Sequence, residues 1–219
     1  MHYSVQNLNI IKNNIKNKLI DLKKTDSPKI IAVSKTFAMD KINPLIESGH
    51  FDFGENKVQE TLDKWSEIKL KNKNIKLHLI GRLQSNKVKH AVKIFDYIHS
   101  VDSAKLAKKI SEELIKYPRI IKIFIQVNIG YENQKSGVNL DDLQDLYSYC
   151  KKINLDVIGL MCIPPAQMNP EKYFIQMSDL VKKLNLKELS MGMSSDYLKA
   201  VEYSSTYLRI GSSIFGDRT

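Results

Sequence analysis

A chain of 219 residues, 42 % hydrophobic and 26 % charged, can bury a core and does not have the composition of a disordered protein. Its longest apolar stretch, residues 157–166, is about half of the roughly 20 residues a membrane helix needs. Residues 1–14 hold no apolar signal core, and two cysteines, Cys150 and Cys162, are too few for a disulfide framework or a structural zinc site, so a cytoplasmic protein without metal is expected. The net charge of +10 admits a nucleic-acid partner. Against that, the basic residues are lysine except for Arg82, Arg119, Arg209 and Arg218. Arginine is the usual reader of bases and phosphates, so the excess lysine reads as compositional drift and no nucleic acid is expected.

The first element is helical. Leu8, Ile11, Ile15, Leu19 and Leu22 recur every three or four residues within 8–23 and build one apolar face, and Pro28 marks the exit. Short β-branched runs follow at 30–34, 51–53, 77–81, 97–101, 121–129, 156–163, 188–192 and 207–215. Amphipathic segments lie between them, among them 55–68, 103–117 and 140–152. Strand starts recur every 20–35 residues or so, the length of a strand, a helix and two loops. Eight such units predict an α/β fold, a single (β/α)8 TIM-type barrel with an extra N-terminal helix, as one domain over residues 1–219. An open doubly wound sheet is the alternative, because periodicity does not report closure.

In such a barrel the site lies at the carboxyl ends of the strands. Lys35 follows the apolar run 30–33 and emerges there. A lysine partly desolvated at a barrel mouth can attack an aldehyde and form a Schiff base; a surface lysine is the bland reading. The stretch Ser190-Met-Gly-Met-Ser-Ser-Asp196 leaves strand seven, with Gly192 for a tight turn and Ser194 and Ser195 as helix caps. Exposed amides at such a start favour an anion, although an ordinary cap is the commoner outcome. Arg209-Ile-Gly-Ser-Ser213 ends strand eight, where Gly211 lets a ligand approach the backbone and Ser212 adds an amide and a hydroxyl. Loops after strands seven and eight are the usual phosphate cradle of this barrel. A lysine-bound aldehyde with a phosphate at its other end describes pyridoxal 5′-phosphate.

Ordered motifs extend this reading along the chain: Ala32-Val-Ser-Lys-Thr36, Phe53-Gly-Glu-Asn-Lys-Val-Gln-Glu60, His78-Leu-Ile-Gly-Arg-Leu-Gln-Ser-Asn-Lys87, Ile98-His-Ser-Val-Asp102, Gln126-Val-Asn-Ile129, Lys135-Ser-Gly137, Gly159-Leu-Met161, Leu189-Ser-Met-Gly-Met-Ser194, Ser205-Thr-Tyr-Leu-Arg-Ile-Gly211 and Ile214-Phe-Gly216. With these the chain resembles the pyridoxal phosphate homeostasis protein family, the YggS/PROSC group, which is similar in fold to the N-terminal barrel of alanine racemase. The resemblance implies that Lys35 holds the cofactor as an internal aldimine and that Asn56 lies beside its ring. It further implies that Ser194, Gly211 and Ser212 bind the phosphate and that Arg209 points at the pyridine nitrogen. Two departures stand out: Ser204 replaces a usual glycine, and Arg82 fills a variable position.

A fixed cation at the pyridine nitrogen disfavours its protonation and weakens the ring as an electron sink, which argues against transamination. Racemisation needs a second acid or base on the other face of the ring. In alanine racemase a tyrosine from a C-terminal domain of the partner subunit supplies it; this chain ends at Thr219, and none of its ten tyrosines is an obvious substitute. The expected function is therefore to hold, buffer and deliver pyridoxal phosphate to apo-enzymes that use it, as a monomer and with no catalytic residue of its own. The alternatives are a racemase and a basic nucleic-acid-binding module. Lys87 and Lys135 are candidate accessory amines, with solvated lysines as the commoner case. The histidines at 2, 50, 78, 90 and 99 show no metal spacing, and His78 and His99 are expected to be packed or hydrogen-bonded. Glu55 and Glu60 read as one helix, five residues apart and so not facing each other. Cys162 reads as core, and Met161, Met191 and Met193 as walls of the ring or as packing.

Overall fold

The computed structural model describes residues 1–132 and 136–217. Eight strands, β1 (Lys29–Val33), β2 (Asp52–Glu55), β3 (Lys76–Leu79), β4 (Tyr97–Val101), β5 (Lys122–Val127), β6 (Asp156–Cys162), β7 (Glu188–Ser190) and β8 (Tyr207–Ile210), form a closed barrel. All neighbours are parallel, and β1 meets β8 from Lys29 opposite Tyr207 to Ala32 opposite Ile210. Closure, which the periodicity left open, is thus decided in favour of the (β/α)8 barrel. The strands read as unbroken apolar runs because a parallel barrel covers both their faces: four of the five residues of β1 and all five of β4 are buried.

The helices are α1 (Tyr3–Asp21), α2 (Met39–Glu47), α3 (Val58–Lys71), α4 (Val88–Ile94), α5 (Ala104–Lys116), α6 (Leu143–Lys152), α7 (Glu171–Lys183), α8 (Tyr197–Glu202) and α9 (Ser212–Phe215), with a 3₁₀ turn over Ser85–Lys87. Each long helix buries one stripe; α5, capped by Ser103 Oγ on the Leu106 amide, buries Leu106, Ala107 and Ile110. Helix α1 starts five residues before the face expected from the sequence, because Val5 extends that buried face and the His2 side chain caps the start by accepting from the Ser4 amide. It packs against α2, α8 and α9. The helix after β8 has only four residues, so α1 takes the place in the outer ring that this helix leaves short. Tyr3 Oη donates to the Phe215 carbonyl at 3.2 Å, and Asn7 Nδ2 to that of Ile214 at 3.1 Å.

Two of the element ends that differ from the sequence expectation bear on the site. The run 207–215 is strand only to Ile210; the chain turns at Gly211 into α9, whose buried Ile214 and Phe215 supplied the strand-like pattern. The segment 55–68 divides as well: Glu55 closes β2, and α3 begins at Val58. Between strands and helices lies a large aliphatic core. Inside the barrel Ile31, Tyr97, Phe124, Met161 and Tyr207 form a second, smaller one, joined by the fully buried His78 and His99.

Candidate cofactor site at the barrel mouth

A cavity of about 620 Å³ opens where the carboxyl ends of β8, β1 and β2 meet, within the range of about 300–1,000 Å³ common for small-molecule sites. Lys35, Asn56, Ser194, Arg209, Gly211 and Ser212 all line it, so one space gathers the six residues that the resemblance implies for the cofactor. Phe37, Ile80, Ile163 and Met193 supply its apolar surface. Met161 and Met191 are fully buried in the two cores and are packing residues. Lys87 ends the 3₁₀ turn and is not among the lining residues, and Lys135 lies outside the described residues.

On the β1–β2 side the backbone around Lys35 is clamped on both flanks. Ser34 donates its amide to the Gly54 carbonyl at 3.0 Å and its hydroxyl to Glu55 Oε1 at 2.8 Å, while its carbonyl accepts from Lys64 Nζ at 2.9 Å. The Thr36 amide donates to Glu60 Oε1 at 2.8 Å. Lys64 Nζ ties the two carboxylates together, 3.0 Å from Glu55 and 3.2 Å from Glu60, and Trp65 Nε1 donates to Glu55 at 2.9 Å. Burial pushes the Glu60 carboxyl up, but the Thr36 amide and Lys64 outweigh it and hold it below its usual range. Thr36 has a φ of 68°, a left-handed conformation unfavourable for a β-branched residue and costing about 1–3 kcal/mol. The Glu60 bond sits where that strain is, one residue past the candidate amine.

Asn56 stands beside this cluster. A Cβ on Gly81 would meet the Asn56 carbonyl oxygen at 2.4 Å, so the end of β3 can approach Asn56 only as glycine. On the β7–β8 side, Gly192 turns the chain at a φ of 90°, and the Met193 amide donates to Asp196 Oδ1 at 2.6 Å. Ser194 Oγ accepts from the amides of Gly211 and Ser213, each at 3.3 Å. The role of the Ser213 amide is not legible in the sequence, where the run to 215 has the pattern of a strand, and a strand would not bring alternate amides to one oxygen. Converging backbone N–H groups of this kind suit an anion.

Arg209 is 4 % exposed. Its Nη1 donates to Ser190 Oγ at 2.7 Å and its Nη2 to the Cys162 carbonyl at 2.8 Å. Burial lowers the guanidinium pKa, opposed by the nearby Cys162 and Asp196. A guanidinium carries five N–H donors, so two anchors fix its plane and leave others for a ligand. A primary amine, converging amides and an anchored cation on one cavity fit pyridoxal phosphate. Among the described residues there is no group of His, Cys, Asp and Glu suited to a metal ion, and no helix long and apolar enough to cross a membrane.

The sequence profile of the alanine racemase N-terminal domain family matches residues 6–219. The pyridoxal phosphate homeostasis protein of Aquifex aeolicus is 38 % identical over 87 % of each chain, and that of Pasteurella multocida 36 % identical over 97 % of each. The chain belongs to the pyridoxal phosphate homeostasis protein family. The solved structure of PipY from Synechococcus elongatus with pyridoxal phosphate bound superposes with a TM-score of 0.80 at 33 % identity, covering 92 % of this chain and 100 % of that one. Ser204, named above as a departure, has a φ of 62°, a conformation that glycine adopts freely and serine does not.

Proposed function

We propose that this protein binds pyridoxal 5′-phosphate reversibly at the β8–β1 mouth, buffers its free concentration in the cytoplasm, and hands it as a monomer to apo-enzymes that use it. The observation that carries this is the meeting of Lys35 with Ser194, Gly211 and Ser212 on one cavity, in a family whose relatives carry the homeostasis name. The cofactor supplies an aldehyde carbon, to which the Lys35 amine joins by a C=N bond with loss of water. The clamps on Ser34 and Thr36 hold Lys35 at the rim. Ser194, Ser212 and the amides of Gly211 and Ser213 take the phosphate, Asn56 lies along the ring, and Arg209 turns N–H donors to the pyridine nitrogen. An arginine there keeps that nitrogen unprotonated and the ring a poor electron sink.

The purified protein with pyridoxal phosphate should show an absorbance band that borohydride makes permanent. Mass spectrometry should map the adduct to Lys35, and Lys35→Ala should abolish it. An adduct at another lysine, or none at saturating cofactor, overturns the proposal. Robust interconversion of alanine enantiomers at micromolar protein would replace it with the racemase.

A further inference from the structure

Arg209 is the outer end of a hydrogen-bonded chain that descends through the barrel interior. Arg209 Nη1 lies 2.7 Å from Ser190 Oγ, which lies 3.0 Å from His99 Nδ1. His99 Nε2 lies 3.0 Å from His78 Nδ1, and His78 Nε2 lies 3.0 Å from Asp52 Oδ1. The five residues come from β8, β7, β4, β3 and β2. Ser190, His99 and His78 are fully buried, whereas the Asp52 side chain is 28 % exposed at the start of β2, far along the barrel from the cavity. The two rings are locked by stacking, His78 on Tyr97 and His99 on Phe124, each with centroids 4.2 Å apart.

The donors allow one direction only. Arginine donates and a carboxylate accepts, while a neutral imidazole has one donor and one acceptor. With Asp52 accepting from His78 Nε2–H, His78 Nδ1 must accept from His99 Nε2–H. His99 Nδ1 must then accept from the Ser190 hydroxyl, whose oxygen takes Arg209. Burial keeps both imidazoles neutral: it lowers His78 despite Asp52, and lowers His99 further with help from His78 and Arg209.

We propose that Ser190, His99 and His78 are positioning residues that, with Asp52 as terminal acceptor, fix the orientation of Arg209 from the far end of the barrel. Removing the acceptor at Asp52 frees both imidazoles to reverse. His99 would then donate to Ser190 Oγ, crowding two donors on that oxygen and turning its hydroxyl hydrogen away. The ligand in this inference rests on the pyridoxal phosphate reading; the direction of the chain does not.

Nitrogen-15 NMR of the cofactor-free protein at pH 7.5 should find His78 and His99 both as the Nε2–H form; an Nδ1–H or doubly protonated ring at either position overturns the proposal. Asp52→Ala should reverse His99 to Nδ1–H, shift the absorbance maximum of added pyridoxal phosphate and weaken its binding by roughly three- to tenfold. Asp52→Asn, whose amide oxygen still accepts, should restore all three. Ser190→Ala should weaken binding by a similar factor, and the Asp52→Ala, Ser190→Ala pair should be no weaker than either alone, as members of one chain are non-additive. Additive losses, or an Asp52→Ala protein with an unmoved spectrum, overturn the proposal. Should the wild-type protein take up no pyridoxal phosphate, the binding proposal fails, while the tautomer measurement still decides the direction of the chain.

Discussion

The two sides of the cavity are built by different means. On the β1–β2 side, side chains do the holding: Glu55, Glu60, Lys64 and Trp65 form a charged cluster behind the backbone that carries Lys35. On the β7–β8 side, the backbone itself faces the cavity, with two amides turned onto Ser194. In the proposed function Lys35 is a covalent attachment point, which has to sit at a fixed place; it lies next to a strained Thr36, so it calls for strong anchors. A phosphate is recognised by many weak donors, and a glycine-bearing turn provides them without a buried charge. In the proposed function, the difference places stability on one side and affinity on the other.

The hardest blow to that contrast is Glu55→Ala. It removes the acceptor of Ser34, Lys64 and Trp65 at once, and breaking a buried ion pair costs about 3–5 kcal/mol. Urea titration should show a loss of that order; a loss below about 1 kcal/mol would mean that the charged cluster is not what holds the β1–β2 side. Acid should act next, and on neither side. Burial, opposed by Asp52, brings His50 down to about 4, and His78 and His99 are lowered too. Unfolding lets these imidazoles protonate, so the stability they confer is complete above pH 6.5 or so and is lost as pH falls toward 4. His50 alone accounts for about 2 kcal/mol at pH 5, measurable as a lower urea midpoint at pH 5 than at pH 7.5. Ser194→Ala sharpens the contrast from the other direction. Pyridoxal phosphate binding should weaken roughly tenfold, while the unfolding free energy from urea titration changes by less than about 1 kcal/mol.

The barrel was legible because its signals are local: a strand, a turn and a helix each fit within a few residues of sequence. Lys35, Ser194, Gly211 and Ser212 were legible for a related reason, since the strand-end rule places them without any knowledge of distance. The charged cluster was not. Glu55 and Glu60 read as two poorly related positions on one helix, whereas Glu55 ends a strand and Lys64 reaches back to both. Pairing across a strand–helix turn has no periodic signature. The same holds for the interior chain: His78 and His99 could be expected to be buried and bonded, but that they contact each other, Ser190 and Asp52 depends on how five strands are arranged around one axis.

The seam between β1 and β8 has a consequence for synthesis. Lys35 is made well before β8, the neighbour of its strand that carries Arg209 and leads into Gly211. The cavity therefore comes into being only when β1 pairs with β8. A barrel unsealed at this seam has the amine but not the residues opposite it, so in the proposed function cofactor uptake reports closure of the barrel.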